Sequence, residues 1–213
     1  MNKKNIDFWE DVLANQPASY RKWFEEEKKY LQKIITPNAK VLDVGCGDGR
    51  SIFDIIETTQ DAVGIDHDQK AVDDARRKFA EYPSVKFLKA DADKLPFKDE
   101  EFDFVICMGT FANFADKKFA VLEEMKRVLK KTGKIIISVY SEDAFEERIK
   151  VYSASGTKIK EIKGGKVIFD EELGDNTSEQ FSREELEKIF SKVQLKIEDM
   201  TKVNIAYLCR LSK

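Results

Sequence analysis

Between residues 40 and 140, short apolar segments alternate with segments whose apolar residues recur at helical spacing. The apolar segments are rich in Val and Ile: "KVLDV", "AVGID", "VKFLKA", "FDFVICM" and "GKIIISVY". The intervening segments include "SIFDIIETT" and the amphipathic "QKAVDDARRKFAEY" and "DKKFAVLEEMKRVLKK". Strands that are apolar on both faces and alternate with helices are typical of a parallel sheet covered on both sides. The alternation therefore predicts an α/β fold, with "KKTGK" ending the last of these helices.

The segments on either side of this core predict additions to one domain rather than a second domain. "NIDFWEDVLANQ" and "PASYRKWFEEEKKYLQKII" have the pattern of two helices. After the core come a helix in "SEDAFEERIKVYSASG", a hairpin turning at Gly164-Gly165, a capped helix in "SREELEKIFSKV" and two antiparallel strands. The predicted parts are an N-terminal helical cap (1–36), the core (40–140), a lid insertion (141–180) and a C-terminal helix with antiparallel strands (181–213).

The charge and cysteine content narrow the possible partners. The chain of 213 residues carries 37 basic and 40 acidic side chains, so that no positive charge excess favours nucleic acid. Its three cysteines, Cys46, Cys107 and Cys209, are widely spaced, which predicts neither a disulfide framework nor a metal site. No signal-peptide pattern or long apolar segment is present, so we expect a cytoplasmic protein without a membrane partner.

The segment "VLDVGCGDGR", residues 41–50, joins an apolar strand to a helix through a glycine-rich turn. Such turns lie at the carboxyl ends of sheet strands, where α/β proteins bind ligands. Gly45 and Gly47 accommodate positive φ and carry no Cβ, so that a ligand can approach the backbone closely. The alternative is a tight turn that binds nothing.

The sequence of this turn argues against a phosphate ligand. Its spacing is G-x-G-x-G rather than the G-x-G-x-x-G of dinucleotide sites, and no G-K-[ST] follows it. Asp43, near the end of the apolar strand, would repel a phosphate and favour a ligand that carries positive charge.

Two more aspartates follow the next two strands. Asp66 ends the second strand, 21 residues after Gly45, where an acidic side chain can accept hydrogen bonds from ribose hydroxyls. Its alternative role is the N-cap of the following helix, which Asp68 could also fill. Asp91 ends the third strand. We therefore expect Asp43, Asp66 and Asp91 at one edge of the sheet.

Together these segments resemble the class I S-adenosylmethionine-dependent methyltransferases. "VLDVGCGDG" is similar to the first motif of that family, and "GID", "ADADKLPFKDEEFDFVICMGTF" and "LKKTGKIIISVY" resemble the later ones. The resemblance implies a Rossmann-like, mostly parallel seven-stranded sheet with helices on both faces. In this fold a reversed seventh strand lies beside the fifth. The cofactor implied is S-adenosyl-L-methionine, and no metal is expected.

The resemblance also implies roles for individual residues of the core. The glycine loop would pass beneath the methionine part of the cofactor, with Asp43 orienting its amino end. Asp66 would hold the ribose, and Asp91 and Ala92 would contact the adenine. The cofactor-binding residues implied are Asp43, Gly45, Cys46, Gly47, Asp66, His67, Asp91, Ala92, Cys107 and Met108.

The methyl acceptor is predicted to be an N, O or S nucleophile of a small molecule. The insertion at 141–180 lies where small-molecule methyltransferases commonly carry substrate-recognition elements. Tyr20, Phe111 and Tyr140 are the residues predicted to contact the acceptor, while no catalytic residue is assigned. Because the sulfonium is electrophilic by itself, positioning of the acceptor matters more than a general base.

Three alternatives remain open at this point. The first is a methyltransferase that acts on protein or RNA, although "CMGT" replaces the Asn/Asp-Pro-Pro-aromatic motif of adenine methyltransferases. The second is a nicotinamide-dependent oxidoreductase, against which the glycine spacing and Asp43 both count. The third is a nucleotide-binding module without catalysis.

Overall fold

A computed structural model describes residues 17–170 and 177–213. The helix predicted over residues 5–16 lies outside these residues. A seven-stranded sheet is built from β1 (Val41–Val44), β2 (Ala62–Asp66), β3 (Lys86–Lys89), β4 (Phe102–Met108), β5 (Leu129–Tyr140), β9 (Lys196–Val203) and β10 (Ala206–Ser212). A second, three-stranded sheet contains β6 (Ile159–Lys163), β7 (Lys166–Phe169) and β8 (Thr177–Ser178). The helices are α1 (Ala18–Ile34), α2 (Arg50–Ile55), α3 (Gln69–Lys78), α4 (Lys118–Val128), α5 (Phe145–Ala154) and α6 (Arg183–Lys192).

The large sheet has the strand order β3-β2-β1-β4-β5-β10-β9. Every pairing from β3 to β5 is parallel, and all four residues of β1 are buried, as expected for a strand covered on both faces. The chain order reverses between β1 and β4, and α/β proteins bind ligands in the crevice beside such a reversal. The fold therefore places the glycine loop, which follows β1, at this crevice.

The C-terminal strands confirm the predicted reversed strand. β10 lies between β5 and β9 and runs antiparallel to both. The tight turn before β10 contains Asn204 with φ of +52°. Asparagine tolerates this left-handed conformation better than most residues.

The boundary between α4 and β5 differs from the prediction. The helix ends at Val128, and "LKKTGK" belongs to a twelve-residue strand in which Leu129 pairs with Phe102. Gly133 is therefore not a helix cap. A Cβ there would lie 2.7 Å from the carbonyl oxygen of Asp103, so that close packing between strands requires the glycine. Tertiary pairing overrides the local helical preference at this point.

The insertion between β5 and α6 contains the predicted helix and the hairpin that turns at Gly164-Gly165, with β8 as a third strand. Arg148 of α5 is fully buried and fastens these parts together. Its guanidinium donates to the carbonyl oxygen of Gly165 at 2.9 Å, to Oε1 of Gln180 at 2.8 Å and to Oγ of Ser178 at 2.9 Å. The backbone N–H of Phe181 donates to the carbonyl oxygen of Tyr140, which anchors the insertion at the end of β5.

Helix α1 packs against α2, β5 and β10 through one buried stripe: Tyr20, Trp23, Glu27 and Leu31. The spacing of three or four residues is that of an amphipathic helix. Glu27 is unusual because a carboxylate stands in an otherwise aromatic and aliphatic stripe. No helix within residues 17–170 or 177–213 has both the length and the apolar character needed to cross a membrane.

The third glycine of the loop is required for packing. Gly49 has φ of +92°, and an added Cβ would lie 2.6 Å from Cε2 of the buried Phe79. Gly156 also has a positive φ, +71°, but a Cβ added there would have no atom within 4 Å. We expect Gly49→Ala to lower the free energy of unfolding by about 2–4 kcal/mol, and Gly156→Ala by only about 1 kcal/mol. Urea denaturation measures both, and equal losses would contradict the packing role.

Candidate cofactor-binding site

The glycine loop is held against the end of β2 by backbone hydrogen bonds. The N–H groups of Gly45 and Cys46 both donate to the carbonyl oxygen of Ile65 at 2.9 Å. Gly45, Gly47 and Gly49 have φ of +75°, +53° and +92°, a conformation that glycine adopts without strain. The first turn of α2 then begins directly at Arg50.

The first two glycines face different surroundings. A Cβ on Gly45 would lie 2.3 Å from Cγ2 of Thr110, whose hydroxyl donates to the carbonyl oxygen of Gly45 at 2.8 Å. A Cβ on Gly47 would meet nothing within 4 Å. Gly45 is therefore fixed by its contact with the loop after β4, whereas Gly47 borders open space beside the loop.

Asp66 is oriented by the backbone around it. Its Oδ2 accepts from the N–H of Gly47 at 2.9 Å, and its Oδ1 accepts from the N–H of Asp68 at 3.0 Å. Asp68 is the residue that caps α3, through a hydrogen bond from the N–H of Lys70. Although burial opposes ionisation, hydrogen bonds from His67 and from these N–H groups lower the pKa of Asp66. Its carboxylate is thus ionised. His67 Nδ1 lies 3.3 Å from Oδ1, which already accepts from Asp68, whereas Oδ2 retains a lone pair for a ribose hydroxyl.

Asp43 lies deeper in the sheet, at a position that pairs with Gly64 and Ile106. It is 1% exposed, and its Oδ2 has no hydrogen-bond partner among the described residues. Burial raises the pKa of Asp43 to about 7. Arg50 opposes this shift, while Asp66 and Glu27 reinforce it. A buried carboxylate with an unsatisfied oxygen is suited to a ligand that brings a positively charged donor.

The three predicted aspartates do share one edge of the sheet. Asp43, Asp66 and Asp91 lie at or just beyond the carboxyl ends of the neighbouring strands β1, β2 and β3. Asp91 and His67 are exposed, and Ala92 is half-buried. Along this edge, the carboxylate at β1 is buried and the carboxylate after β3 is exposed to solvent.

The predicted residues at the end of β4 are sealed in the sheet. Cys107 is fully buried, Met108 is 6% exposed, and Cys46 of the glycine loop is 7% exposed. Burial raises the pKa of both the Cys46 and the Cys107 thiol well above its usual value, so that neither is a thiolate nucleophile. Any contact from these positions to a cofactor would come from their backbone.

Two of the three predicted acceptor residues meet at this crevice. The hydroxyl of Tyr20, on α1, donates to the hydroxyl of Tyr140, at the end of β5, at 3.2 Å. The Trp23 ring lies 4.9 Å from the Tyr140 ring and 4.0 Å from the position of a Cβ on Gly109. The third residue, Phe111, is fully buried in an aromatic cluster with Phe114, Phe181 and Phe190.

Several residues around the candidate site were not predicted from the sequence. Glu27 is fully buried beside Arg50, with 2.7 Å between Oε2 and Nη2. Trp23 donates from Nε1 to Oγ of Ser138 at 2.7 Å, and Thr110 supports Gly45. In the sequence, the burial of Glu27 could be inferred only from its helical spacing, four residues from Trp23 and four from Leu31.

These observations fit S-adenosylmethionine better than a dinucleotide. The carboxylates of Asp43 and Glu27 suit a cation, Asp66 suits a ribose, and the open side of Gly47 leaves room beside the backbone. A pyrophosphate would instead face these carboxylates, which repel it. The residues that would hold the cofactor thus include the sequence-predicted Asp43, Gly47 and Asp66.

Comparisons with known proteins show which family this chain is similar to. The family model described as a methyltransferase domain matches residues 35–192. An uncharacterized protein of Methanocaldococcus jannaschii is 32% identical over 171 residues, which cover 76% of this chain and 77% of that protein. A crystal structure of a Pyrococcus horikoshii protein, 27% identical, superposes with a TM-score of 0.73 over 92% of both chains.

Two curated enzymes also match over the core. The demethylmenaquinone methyltransferase of Staphylococcus saprophyticus is 28% identical over 63% of this chain and 63% of its own length. The bovine eEF1A lysine and N-terminal methyltransferase is 29% identical over 62% of this chain but only 20% of its own length. The matched region thus spans less than two thirds of either enzyme.

The ionisation of Asp43 predicts a pH-dependent stability. A carboxyl whose pKa is raised by folding destabilises the folded state as pH rises from its unfolded pKa to its folded pKa. Here that window runs from about 4 to about 7. We compare the free energy of unfolding of Asp43→Asn with that of the native protein, both without cofactor. We expect this difference to shift in favour of the variant by roughly 2 kcal/mol from pH 5 to pH 8.

Urea denaturation at the two pH values measures this difference, with Asp61→Asn as a control because Asp61 is exposed. The variant leaves unchanged the other groups that face Asp43: Arg50, Asp66, Glu27 and Cys107. A stability difference that does not vary with pH would show that Asp43 is not the titrating group.

The open side of Gly47 predicts a second result. Gly47→Ala places a methyl group beside the loop where a cofactor would pass, and we expect it to weaken S-adenosylmethionine binding at least roughly ten-fold. Gly164→Ala is the matched control, since Gly164 has φ of +57° and equally open surroundings in the β6–β7 turn. Isothermal titration calorimetry compares the two. Equal affinities would mean that the cofactor does not pass Gly47.

Proposed function

This chain belongs to the class I S-adenosylmethionine-dependent methyltransferases, and we propose that it methylates an N, O or S nucleophile of a small molecule. Bound S-adenosylmethionine supplies the electrophilic methyl group. Family membership also sets aside a nicotinamide-dependent oxidoreductase, because the cofactor of the family is S-adenosylmethionine.

The observation that carries the proposal is the enclosure of the crevice by α1. Tyr20 and Trp23 of this helix are each 1% exposed, and they pack on Tyr140 at the carboxyl end of β5. A polypeptide or an RNA would have to displace the whole helix to reach this point, whereas a small acceptor would require only that these side chains move apart. Enclosure also excludes water from the transfer.

The tyrosine pair supplies a polar group in this aromatic setting. The two hydroxyls share one hydrogen bond, which leaves one hydroxyl hydrogen without an acceptor among the described residues. A buried hydroxyl normally donates a hydrogen bond. An acceptor molecule with an oxygen or nitrogen lone pair would accept this one and be held in a fixed orientation, which is the main contribution a protein makes to methyl transfer.

The named relatives support two acceptor classes. Demethylmenaquinone methyltransferase acts, by its name, on a small molecule. The bovine relative acts, by its name, on a protein, and protein methylation is therefore the second candidate. The net charge of −3 gives no support to an RNA acceptor.

The proposal predicts turnover with small molecules. Purified protein, S-adenosylmethionine and a panel of amines, phenols, thiols and carboxylates should release S-adenosylhomocysteine with at least one member, and methylated product is identified by mass spectrometry. Turnover confined to added polypeptide would favour the second candidate. Cofactor binding without turnover on either panel would favour a module that has lost catalysis.

Once an acceptor is identified, Tyr140→Phe tests the tyrosine pair. We expect the acceptor KM to rise roughly ten-fold, the loss of one buried hydrogen bond, while the Kd of S-adenosylmethionine changes less than about two-fold. Tyr82→Phe is the control, because Tyr82 packs on Phe79 outside the crevice. An unchanged KM would remove the tyrosine pair from acceptor binding.

A further inference from the structure

Glu27 is a buried carboxylate whose charge is only partly satisfied. It is 0% exposed, and neither of its oxygens has a hydrogen-bond partner of good geometry among the described residues. Its ion pair is with Arg50, at 2.7 Å between Oε2 and Nη2, and the side chain of Ser138 is its other polar neighbour. Burial of an ionised carboxylate costs several kcal/mol unless charges and hydrogen bonds offset it. A further positive charge near Glu27 would therefore offset the cost of burying this carboxylate in an apolar stripe.

The ion pair joins α1 to the cofactor loop. Arg50 is the first residue of α2, directly after the glycine turn, and its guanidinium lies 4.3 Å from the centre of the Phe24 ring. A second carboxylate, Asp54, lies 3.6 Å from Arg50 and is partly exposed to water. Glu27 thus adds a negative charge from outside the core to the loop that resembles the first motif of the family.

The sealed part of the site contains more negative than positive charge. Asp43 and Glu27 are both at most 1% exposed, and Arg50 is the cation that faces them. With all three groups ionised, one negative charge has no counterpart. Oδ2 of Asp43, which lacks a partner, is the atom left to meet an incoming cation.

We propose that Glu27 is a specificity-determining residue that makes the site prefer the charged cofactor, S-adenosylmethionine, over the product S-adenosylhomocysteine. The two molecules differ by a methyl group and by the positive charge on sulfur. The methyl leaves with the acceptor and the electrons of the carbon–sulfur bond remain on sulfur, so that the product is uncharged there. The excess negative charge then attracts the product less. The proposal does not depend on the identity of the acceptor.

Glu27→Gln tests the proposal because it removes the charge with almost no change in shape. Isothermal titration calorimetry gives the Kd of S-adenosylmethionine and of S-adenosylhomocysteine for each protein. For two unit charges on the order of 8–12 Å apart, at an effective dielectric constant of about 20–40, the interaction corresponds to a change in the ratio of the two constants of roughly three- to thirty-fold. We expect Glu27→Gln to raise the ratio Kd(S-adenosylmethionine)/Kd(S-adenosylhomocysteine) by such a factor.

The matched control is Glu26→Gln, which makes the same charge change on the same helix. Glu26 pairs at the surface with Lys29, and we expect the ratio to change less than about two-fold because solvent screens this charge. Equal weakening of both ligands by Glu27→Gln would assign Glu27 a structural role and overturn the proposal. An unchanged ratio would do the same.

A double variant separates charge from packing. Glu27→Gln with Arg50→Met removes one negative and one positive group, so that Asp43 again provides one uncompensated carboxylate. We expect the ratio to return to within about two-fold of that of the native protein. A ratio that stays at the Glu27→Gln value would show that the excess charge is not what selects the ligand.

If Glu27→Gln fails to unfold cooperatively in urea, the native protein supplies the test. Glu27 and Asp43 face each other, and burial raises the pKa of both carboxyls. The other titratable or charged groups that face one or both of them are Arg50, Asp54, Asp66, Cys46 and Cys107. The preference for S-adenosylmethionine should therefore strengthen at least about three-fold between pH 5.5 and pH 7.5, because Asp43, whose pKa is about 7, ionises in this range and adds to the excess negative charge. A ratio that is constant over this range would overturn the proposal.

Discussion

The attachment of the glycine loop to the end of β2 is the interaction on which the site depends. The N–H groups of Gly45 and Cys46 share the carbonyl oxygen of Ile65, and the N–H of Gly47 donates to Asp66. These bonds fix the loop at the crevice between β1 and β4. They also orient the carboxylate of Asp66, so that one set of contacts shapes both the backbone and the polar edge of the site.

A second constraint is the charge sealed beneath α1. Asp43 and Glu27 are buried with incomplete pairing, which lowers stability in the absence of a cofactor. The same carboxylates suit a ligand that carries positive charge. Local destabilisation at a binding site is a common cost of function, and in this protein it arises at Asp43 and Glu27.

The sequence allowed much of the fold and part of the site to be predicted. Apolar strands alternating with amphipathic helices predicted the parallel sheet, and the spacing from Gly45 to Asp66 placed a carboxylate beside the loop. The end of α4 was wrong, because the pairing of Leu129 with Phe102 is a tertiary contact that no local pattern reveals. Gly45 and Gly47 are equivalent in the sequence pattern. In the structure, Thr110, which is distant in sequence, packs against Gly45 and not against Gly47.

The sequence by itself determined the alternation of strands and helices through the core, where the glycine turn lies and that its ligand is not a phosphate. These properties follow from local periodicity and from the chemistry of adjacent residues. Only the tertiary structure decided that Glu27 and Arg50 meet, that Tyr20 contacts Tyr140 and that Asp43 is sealed from water. The reason is physical: burial and ion pairing depend on which distant segments pack together, and α1 reaches the loop only once the sheet has formed.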